Sequence, residues 1–266
     1  MITPRRNSNN RWFESLSTSS TPLLRLFCFP YAGGSAHVFR EWQRHFPPEI
    51  DVCLVHLPGR ARRIAETPHT RLQSLVEEVA DAIRPELQNK FALYGHSMGA
   101  LISFELAREL RRRNYDSPLH LFLSACRAPT MVKDGPPTFN LPLQEFMAEI
   151  QKLNGTPKEF LQHPEFQRAL LPLLRADFEI TDTYTYLAEP PIDSPITIYG
   201  GEHDHLVPLR SLAPWCLQTS AECSSRIFSG DHFFIQSHKT EFVKALRQDL
   251  LEALSSHQLL PVAQGT

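Results

Sequence analysis

The chain has 266 residues, with 27 Lys plus Arg against 29 Asp plus Glu, a formal net charge of −2, and 42% hydrophobic residues. This is enough for one large core domain, with or without an inserted subdomain. The near-neutral balance gives no electrostatic reason for nucleic acid as the main partner, and no apolar run approaches the ~20 residues needed to span a bilayer.

Residues 1–21 are polar and rich in Ser, Asn and Thr. They lack an apolar h-region and so do not read as a secretory signal. Two arginines and several serines give a faint hint of an organelle transit peptide, which the early Glu14 opposes. Residues 1–20 are therefore expected to form a flexible tail, followed by a core domain over 21–256 and a flexible C-terminal tail over 257–266. Strand-like apolar runs then alternate with helical patterns. Strands are predicted at 23–29, 51–57, 91–94, 119–125, 196–200 and 225–228. Helices are predicted at 37–46, 72–87, 98–113, 209–218 and 239–254. Near-continuous apolar strands between amphipathic helices point to an α/β fold with a buried, mostly parallel sheet.

The rhythm breaks between 128 and 195. Prolines flank that interval, and helical patterns fill it: 143–153, a capping-box start at Thr156-Pro157-Lys158-Glu159, and a third from Pro164 to Tyr186 in which Pro172 should kink or break the helix. The reading is a helical lid insertion over one end of the sheet. Five cysteines, an odd number with no C-x-x-C pair, argue against a disulfide framework or a zinc site. A reducing, cytoplasmic location is expected.

The chemistry is concentrated in 95-GHSMG-99, which lies between the apolar strand 91–94 and the helix 98–113. A serine between glycines at a strand-to-helix turn fits the nucleophile elbow G-x-S-x-G. There the turn lifts the hydroxyl above the sheet and aims free helix N–H groups at the reacting centre. A nucleophilic serine needs a base and an orienting carboxylate, here following in the order Ser, acid, His, past late strands. The loop 200-GGEHDHLVP-208 supplies Asp204, with Glu202 as the lesser choice. The loop 229-SGDHFFIQSH-238 supplies His232. His96 should point away from the serine into packing, His203 and His205 read as loop residues, and His238 as surface. Asp231 is too close to His232 in sequence, and Asp193 lies at the wrong end of its strand. For the oxyanion, one donor is the Met98 amide. The other comes from 29-FPYAGGSA-36, where Ala32 is favoured over Tyr31. Tyr31 and Phe233 are the expected substrate contacts.

Together, 29-FPYAGGSAHVFREW-42, 57-LPGRARRIAE-66, 94-YGHSMGALISFELAREL-110, 200-GGEHDHLVP-208 and 230-GDHFF-234 resemble the type II thioesterases, stand-alone editing enzymes of nonribosomal peptide and polyketide synthesis. The thioesterases of fatty acid synthesis are close relatives. The resemblance implies an α/β-hydrolase fold with a helical lid and the triad Ser97, Asp204 and His232. It also implies hydrolysis of acyl groups from the phosphopantetheine thiol of an acyl or peptidyl carrier protein. No metal or cofactor is called for, and a monomer is expected. Arg60, Arg62 and Arg63 lie near the active edge and could meet the carrier or a pantetheine phosphate, whereas 111-RRR-113 suits a helix C-terminus. Rival readings are a general carboxylesterase or an acyltransferase on the same fold, and a non-catalytic acyl-binding module.

Overall fold

The computed structural model describes residues 10–131, 135–153, 164–257 and 259. Seven strands form one sheet: β1 (Phe13–Ser15), β2 (Leu24–Phe29), β3 (Ile50–Val55), β4 (Lys90–His96), β5 (Leu121–Ser124), β6 (Ile196–Gly201) and β7 (Cys223–Phe228). Their order is β1-β3-β2-β4-β5-β6-β7. All neighbours are parallel except β1, which runs antiparallel to β3. The helices are α1 (Leu72–Ile83), α2 (Met98–Arg112), α3 (Leu143–Leu153), α4 (Pro164–Thr183), α5 (Phe234–Ser237) and α6 (Lys239–Ser256).

The five inner strands are buried because both faces are covered, while the edge strands β1 and β7 are only partly so. On one face Leu75, Val76 and Val79 of α1 and Ile102, Leu106 and Leu110 of α2 pack with Phe27, Leu93 and Leu123. On the other, Phe242, Leu246 and Leu250 of α6 pack with Phe39, Trp42, Tyr94 and Tyr199. The amphipathic period of these helices is what makes the sheet a two-sided core.

The chain leaves β2 in one direction to make β3, then crosses back to make β4 on the other side of β2. The C-terminal ends of β2 and β4 are thus a topological switch point, where a crevice opens between diverging connections. Phe29 is in register with Gly95, so the loops after β2 and β4 emerge side by side.

Five expectations are corrected. The predicted tail 1–20 is ordered from Asn10: Trp12 and Phe13 are buried, Phe13 lies 5.1 Å from Phe27, and the Arg63 guanidinium covers the Trp12 ring at 3.8 Å. A three-residue strand is too short to show alternation, so its apolar anchors had no pattern to reveal them. At the other end, Leu259 N–H bonds Leu254 O, so the chain just past α6 is still attached. The 37–46 helix is two 3-10 turns, Ala36–Phe39 and Trp42–His45; a three-residue repeat places Phe39 and Trp42 together in the core. The 209–218 helix is likewise 3-10, as Pro214 has no N–H to give to an α-helical bond. Cys216, closing that turn, meets Cys223 at the start of β7 in a disulfide with Cα atoms 5.4 Å apart. Folding of 219–222 creates this pair, and sequence spacing did not announce it.

The long β5–β6 connection carries α3 and α4. Phe146, Ile150 and Leu174 form a small apolar cluster there, apart from the main core. Helix α4 runs through Pro172 without a break. The capping box at 156–159, Phe160 and residues 1–9 lie outside the described residues.

A Cβ added at Gly99 would sit 2.2 Å from the Phe29 carbonyl oxygen and 2.8 Å from that of Pro30. Both are backbone atoms, so the clash is relieved only by pushing α2 off β2. Gly99→Ala is expected to lower unfolding stability by at least about 1–3 kcal/mol. Urea denaturation of the two proteins measures it.

Candidate active site

Ser97 follows β4 directly and has φ 55° and ψ −117°, a strained conformation for a residue with a side chain. Its N–H bonds Ser124 O at 2.7 Å, tying the turn to β5. Gly95 is required as well: a Cβ there would sit 2.0 Å from the Gly99 carbonyl oxygen. The elbow is therefore a steric solution, in which two glycines let strand, turn and helix touch.

Ser97 Oγ lies 3.0 Å from His232 Nε2, and His232 Nδ1 lies 2.7 Å from Asp204 Oδ2. Asp204 sits in the turn after β6, where the Leu206 and Val207 amides donate to its Oδ1 at 2.9 and 3.0 Å. One carboxylate oxygen is thus fixed by backbone and the other is left for the imidazole. A carboxylate can only accept, so Nδ1 carries the proton and Nε2 presents its lone pair to the serine hydroxyl. The sequence-predicted trio is brought together by three loops on one edge of the sheet.

The competing side chains are placed elsewhere. Glu202, His203 and His205 are exposed. Asp231 accepts from the Phe233 amide at 2.9 Å and opens α5. Asp193 accepts from Ser220 Oγ. His238 is half-buried beside Ser237.

His96 does point away from the serine, but it does more than pack. Its Nε2–H donates to the His232 carbonyl at 2.9 Å, and Nδ1 accepts from Ser124 Oγ at 2.9 Å. Burial, then the neighbouring His232, holds its pKa well below the ordinary value, so the ring stays neutral. That neutrality matches one donor and one acceptor. His96 thereby fixes the backbone that carries His232.

The loop after β2 closes on itself through Gly34 N–H to Tyr31 O at 2.9 Å. Among the described residues, neither the Ala32 nor the Met98 amide meets an acceptor, as donors kept for an oxyanion would require. Tyr31 is only 7% exposed; its ring stands edge-on to His96 and Phe233, and its hydroxyl accepts from Gln236. It offers an incoming group little surface. Phe233 is half-buried, 5.2 Å from the His232 ring.

Of the three arginines in 60–63 expected near a carrier or phosphate, only Arg62 is exposed. Arg60 is buried in a two-pronged pair with Asp177, and Arg63 is buried against Glu66 and Trp12. Arg62 is spent on the carbonyls of Asn10, Arg11 and Phe13. Arg60's carboxylate is distant in sequence, so only the fold reveals that pair; Glu66 lies three residues from Arg63, and the carboxylate nearest Arg62 is Glu14 at 3.6 Å. Arg111, Arg112 and Arg113 pair with Glu189, Glu109 and Asp81.

Against this geometry, the thioesterase-domain family model matches residues 24–250. The chain belongs to the thioesterase family. As a thioesterase it is a thioester hydrolase, and its α/β-hydrolase fold is the one the sequence implied. It is 46% identical over 241 residues to the gramicidin S biosynthesis protein GrsT of Aneurinibacillus migulanus, covering 91% of this chain and 94% of that one. Among solved structures, RedJ, a thioesterase of the prodiginine pathway in Streptomyces coelicolor, matches with TM-score 0.80 and 36% identity over 85% of this chain and 90% of its own. YbtT, described as a type II thioesterase of the yersiniabactin NRPS/PKS pathway, matches with TM-score 0.80 and 28% identity over 91% and 99%. Among the thioesterase's described residues, no helix is long and apolar enough to cross a membrane.

Two outcomes are expected. His96→Phe keeps ring volume but deletes the bond to the His232 carbonyl, and should lower kcat about tenfold with little change in KM. Steady-state kinetics read the split. Burial also holds His56 and His120 at about 4, helped by the Arg62 charge for His56 and by His257 for His120. The unfolded chain then binds protons near pH 6.5 that the folded protein refuses, so stability should fall as pH drops from 6.5 toward 4. The loss is on the order of 1 kcal/mol per histidine per pH unit. Urea melts at pH 7 and 5 measure it, and His120→Gln should flatten the slope.

Proposed function

We propose that the chain is a serine thioesterase that releases acyl groups from the phosphopantetheine thiol of an acyl or peptidyl carrier protein, as an editing or chain-releasing enzyme of nonribosomal peptide, polyketide or fatty acid synthesis. The observation that carries the reading is the hydrogen-bonded chain Ser97–His232–Asp204 beside a loop with an unengaged amide. The pathways named for GrsT and YbtT support the substrate class.

In this mechanism His232 Nε2 takes the Ser97 proton as Oγ attacks the thioester carbonyl carbon. Asp204 holds the imidazole in the required tautomer and stabilises it when charged. The carbonyl oxygen, now an anion, is bound by the Met98 and Ala32 amides, each worth roughly 3 kcal/mol in comparable sites. Collapse breaks the C–S bond, and the thiolate leaves with the proton from His232. The leaving thiol has a pKa near ~8.5, so this departure is easier than that of an alkoxide. Water, deprotonated by His232, then attacks the acyl-serine. The second tetrahedral species expels Ser97, which regains its proton, and the free acid departs.

Helices α3 and α4 act as the lid over this edge. The half-buried Met147 and Phe178 suit an apolar acyl chain, with Phe233 flanking the histidine, while Phe146 is spent inside the cluster between the two helices. The protein acts as a monomer. Pairing of Cys216 with Cys223 removes the cysteine argument for a reducing compartment. A cytoplasmic location then rests on the carrier-protein partner.

The test is hydrolysis of an acyl panel offered on a holo carrier protein, on free pantetheine and as an oxygen ester. Carrier-bound thioesters should be preferred. Ser97→Ala should lose about 10³-fold or more, and Asp204→Asn about 10²–10⁴-fold, while Asp231→Asn stays near the wild type. Indifference to the carrier with good oxygen-ester turnover would establish a general esterase instead.

A further inference from the structure

The loop that supplies Ala32 contains Gly33 and Gly34 side by side, with Gly33 at φ +75°. Two adjacent glycines make a backbone with many accessible conformations, which is the opposite of what an oxyanion hole needs. Something outside the loop must choose one.

Two buried side chains do so. Asp177, on α4, is fully buried, and its Oδ2 accepts the Gly33 N–H at 2.7 Å. Arg60, 5% exposed, donates from Nη1 to Gly34 O at 3.1 Å. The two are locked together, Arg60 Nη1 to Asp177 Oδ2 at 2.8 Å and Nη2 to Oδ1 at 2.7 Å. The third guanidinium nitrogen, Arg60 Nε, donates to Pro58 O at 3.4 Å. One turn before Asp177, Leu174 closes on Gly33 so tightly that an added Cβ would lie 2.5 Å from its Cδ2. The peptide plane between Ala32 and Gly33 is thus held by Asp177, the Gly34 carbonyl is held by Arg60, and the Tyr31 carbonyl is held by the turn. With those groups fixed, the direction of the Ala32 N–H is fixed as well.

We propose that Arg60 and Asp177 are positioning residues of the oxyanion hole, so that α4 of the insertion is a working part of the acyl-transfer site and the hole is complete only while α4 is seated on the loop. This rests on the acyl-transfer chemistry proposed above. Neither residue touches the reacting atoms. A buried ion pair contributes little net stability compared with apolar residues of the same volume, but it fixes geometry through its hydrogen bonds. The structure uses both partners for that purpose, since each holds a backbone group of the loop.

The experiment compares Asp177→Asn, Arg60→Lys and the double variant Arg60→Met with Asp177→Leu. The substrate is octanoyl-pantetheine, and a second readout is the rate at which a fluorophosphonate phosphonylates Ser97. In Asp177→Asn the new amide N–H group opposes the Arg60 guanidinium. A fall in kcat of about 10- to 100-fold is expected, with KM changed less than about threefold and the pH–rate profile unmoved, because His232 and Asp204 are untouched. Arg60→Lys should lie between it and the wild type. The double variant removes both charges, so its melting temperature should return toward the wild type while kcat and the phosphonylation rate stay at least tenfold low. Recovery of kcat together with stability in the double variant would show a merely structural pair and overturn the proposal. So would Asp177→Asn that melts like the wild type with kcat within twofold. If the wild type hydrolyses no pantetheine thioester, the substrate reading fails on its own. The phosphonylation rates, which need only the nucleophile and the hole, then decide the positioning role in either direction.

Discussion

The structure depends on the contact between the Gly99 α-carbon and the carbonyl end of β2. No side-chain atom fits there: a Cβ would meet the Phe29 oxygen at 2.2 Å. Because it is empty, α2 starts hard against β2, and the turn that carries Ser97 stands beside the loop that carries Ala32. The pairing of Phe29 with Gly95 places the two strand ends level. Ser97 and Ala32, the nucleophile and oxyanion donor of the proposed mechanism, are therefore related by sheet register. Asp204 and His232 arrive the same way, from the ends of β6 and β7, whose final residues Gly201 and Phe228 are also paired.

Much of this was legible in the sequence because it is local. An apolar strand, a serine between glycines and an amphipathic helix occupy one continuous stretch. Asp204 and His232 each lie just past a strand whose period is readable. What escaped was whatever depends on a distant partner. Arg60 sits in a basic run and reads as available to a carrier or a phosphate, while its carboxylate is 117 residues away. Asp177 reads as the polar face of an amphipathic helix, and nothing nearby marks it as the innermost acid of that helix. His96 was read correctly for direction, but its bond to the His232 carbonyl spans 136 residues. The strand β1 and the 3-10 turns failed for another reason: three- and four-residue elements are shorter than the periods used to detect them.

The buried polar groups around the active edge form two separate sets, each held by side-chain and backbone partners. His96 is kept neutral and uses both ring nitrogens, the Asp204 carboxylate has both oxygens engaged, and Arg60 and Asp177 neutralise each other. In a medium where an unpaired charge costs several kcal/mol, removing one member leaves another orphaned. The site is consequently rigid in its backbone and intolerant of single polar deletions, and such rigidity lets amide dipoles act on a developing charge without first reorganising.

Helix α4 has a different organisation on either side of Pro172. The half that follows is bolted down: Asp177 to Arg60 and Gly33, Glu179 to Arg71, Asp182 to the amides of Thr138 and Phe139, Ile180 to the main core. In the preceding half, Leu170 and Leu171 pack in the small cluster with α3. Proline has no N–H to bond back to residue 168, so the seam between the halves lacks one rung of the helix. Leu174 and Phe178, past the seam, join the same small cluster, so the halves share a packing surface while only the second is tied to the loop after β2. A change before Pro172 is therefore more than a turn removed from the bonds that hold Gly33, which leaves one end of the insertion freer to vary than the other.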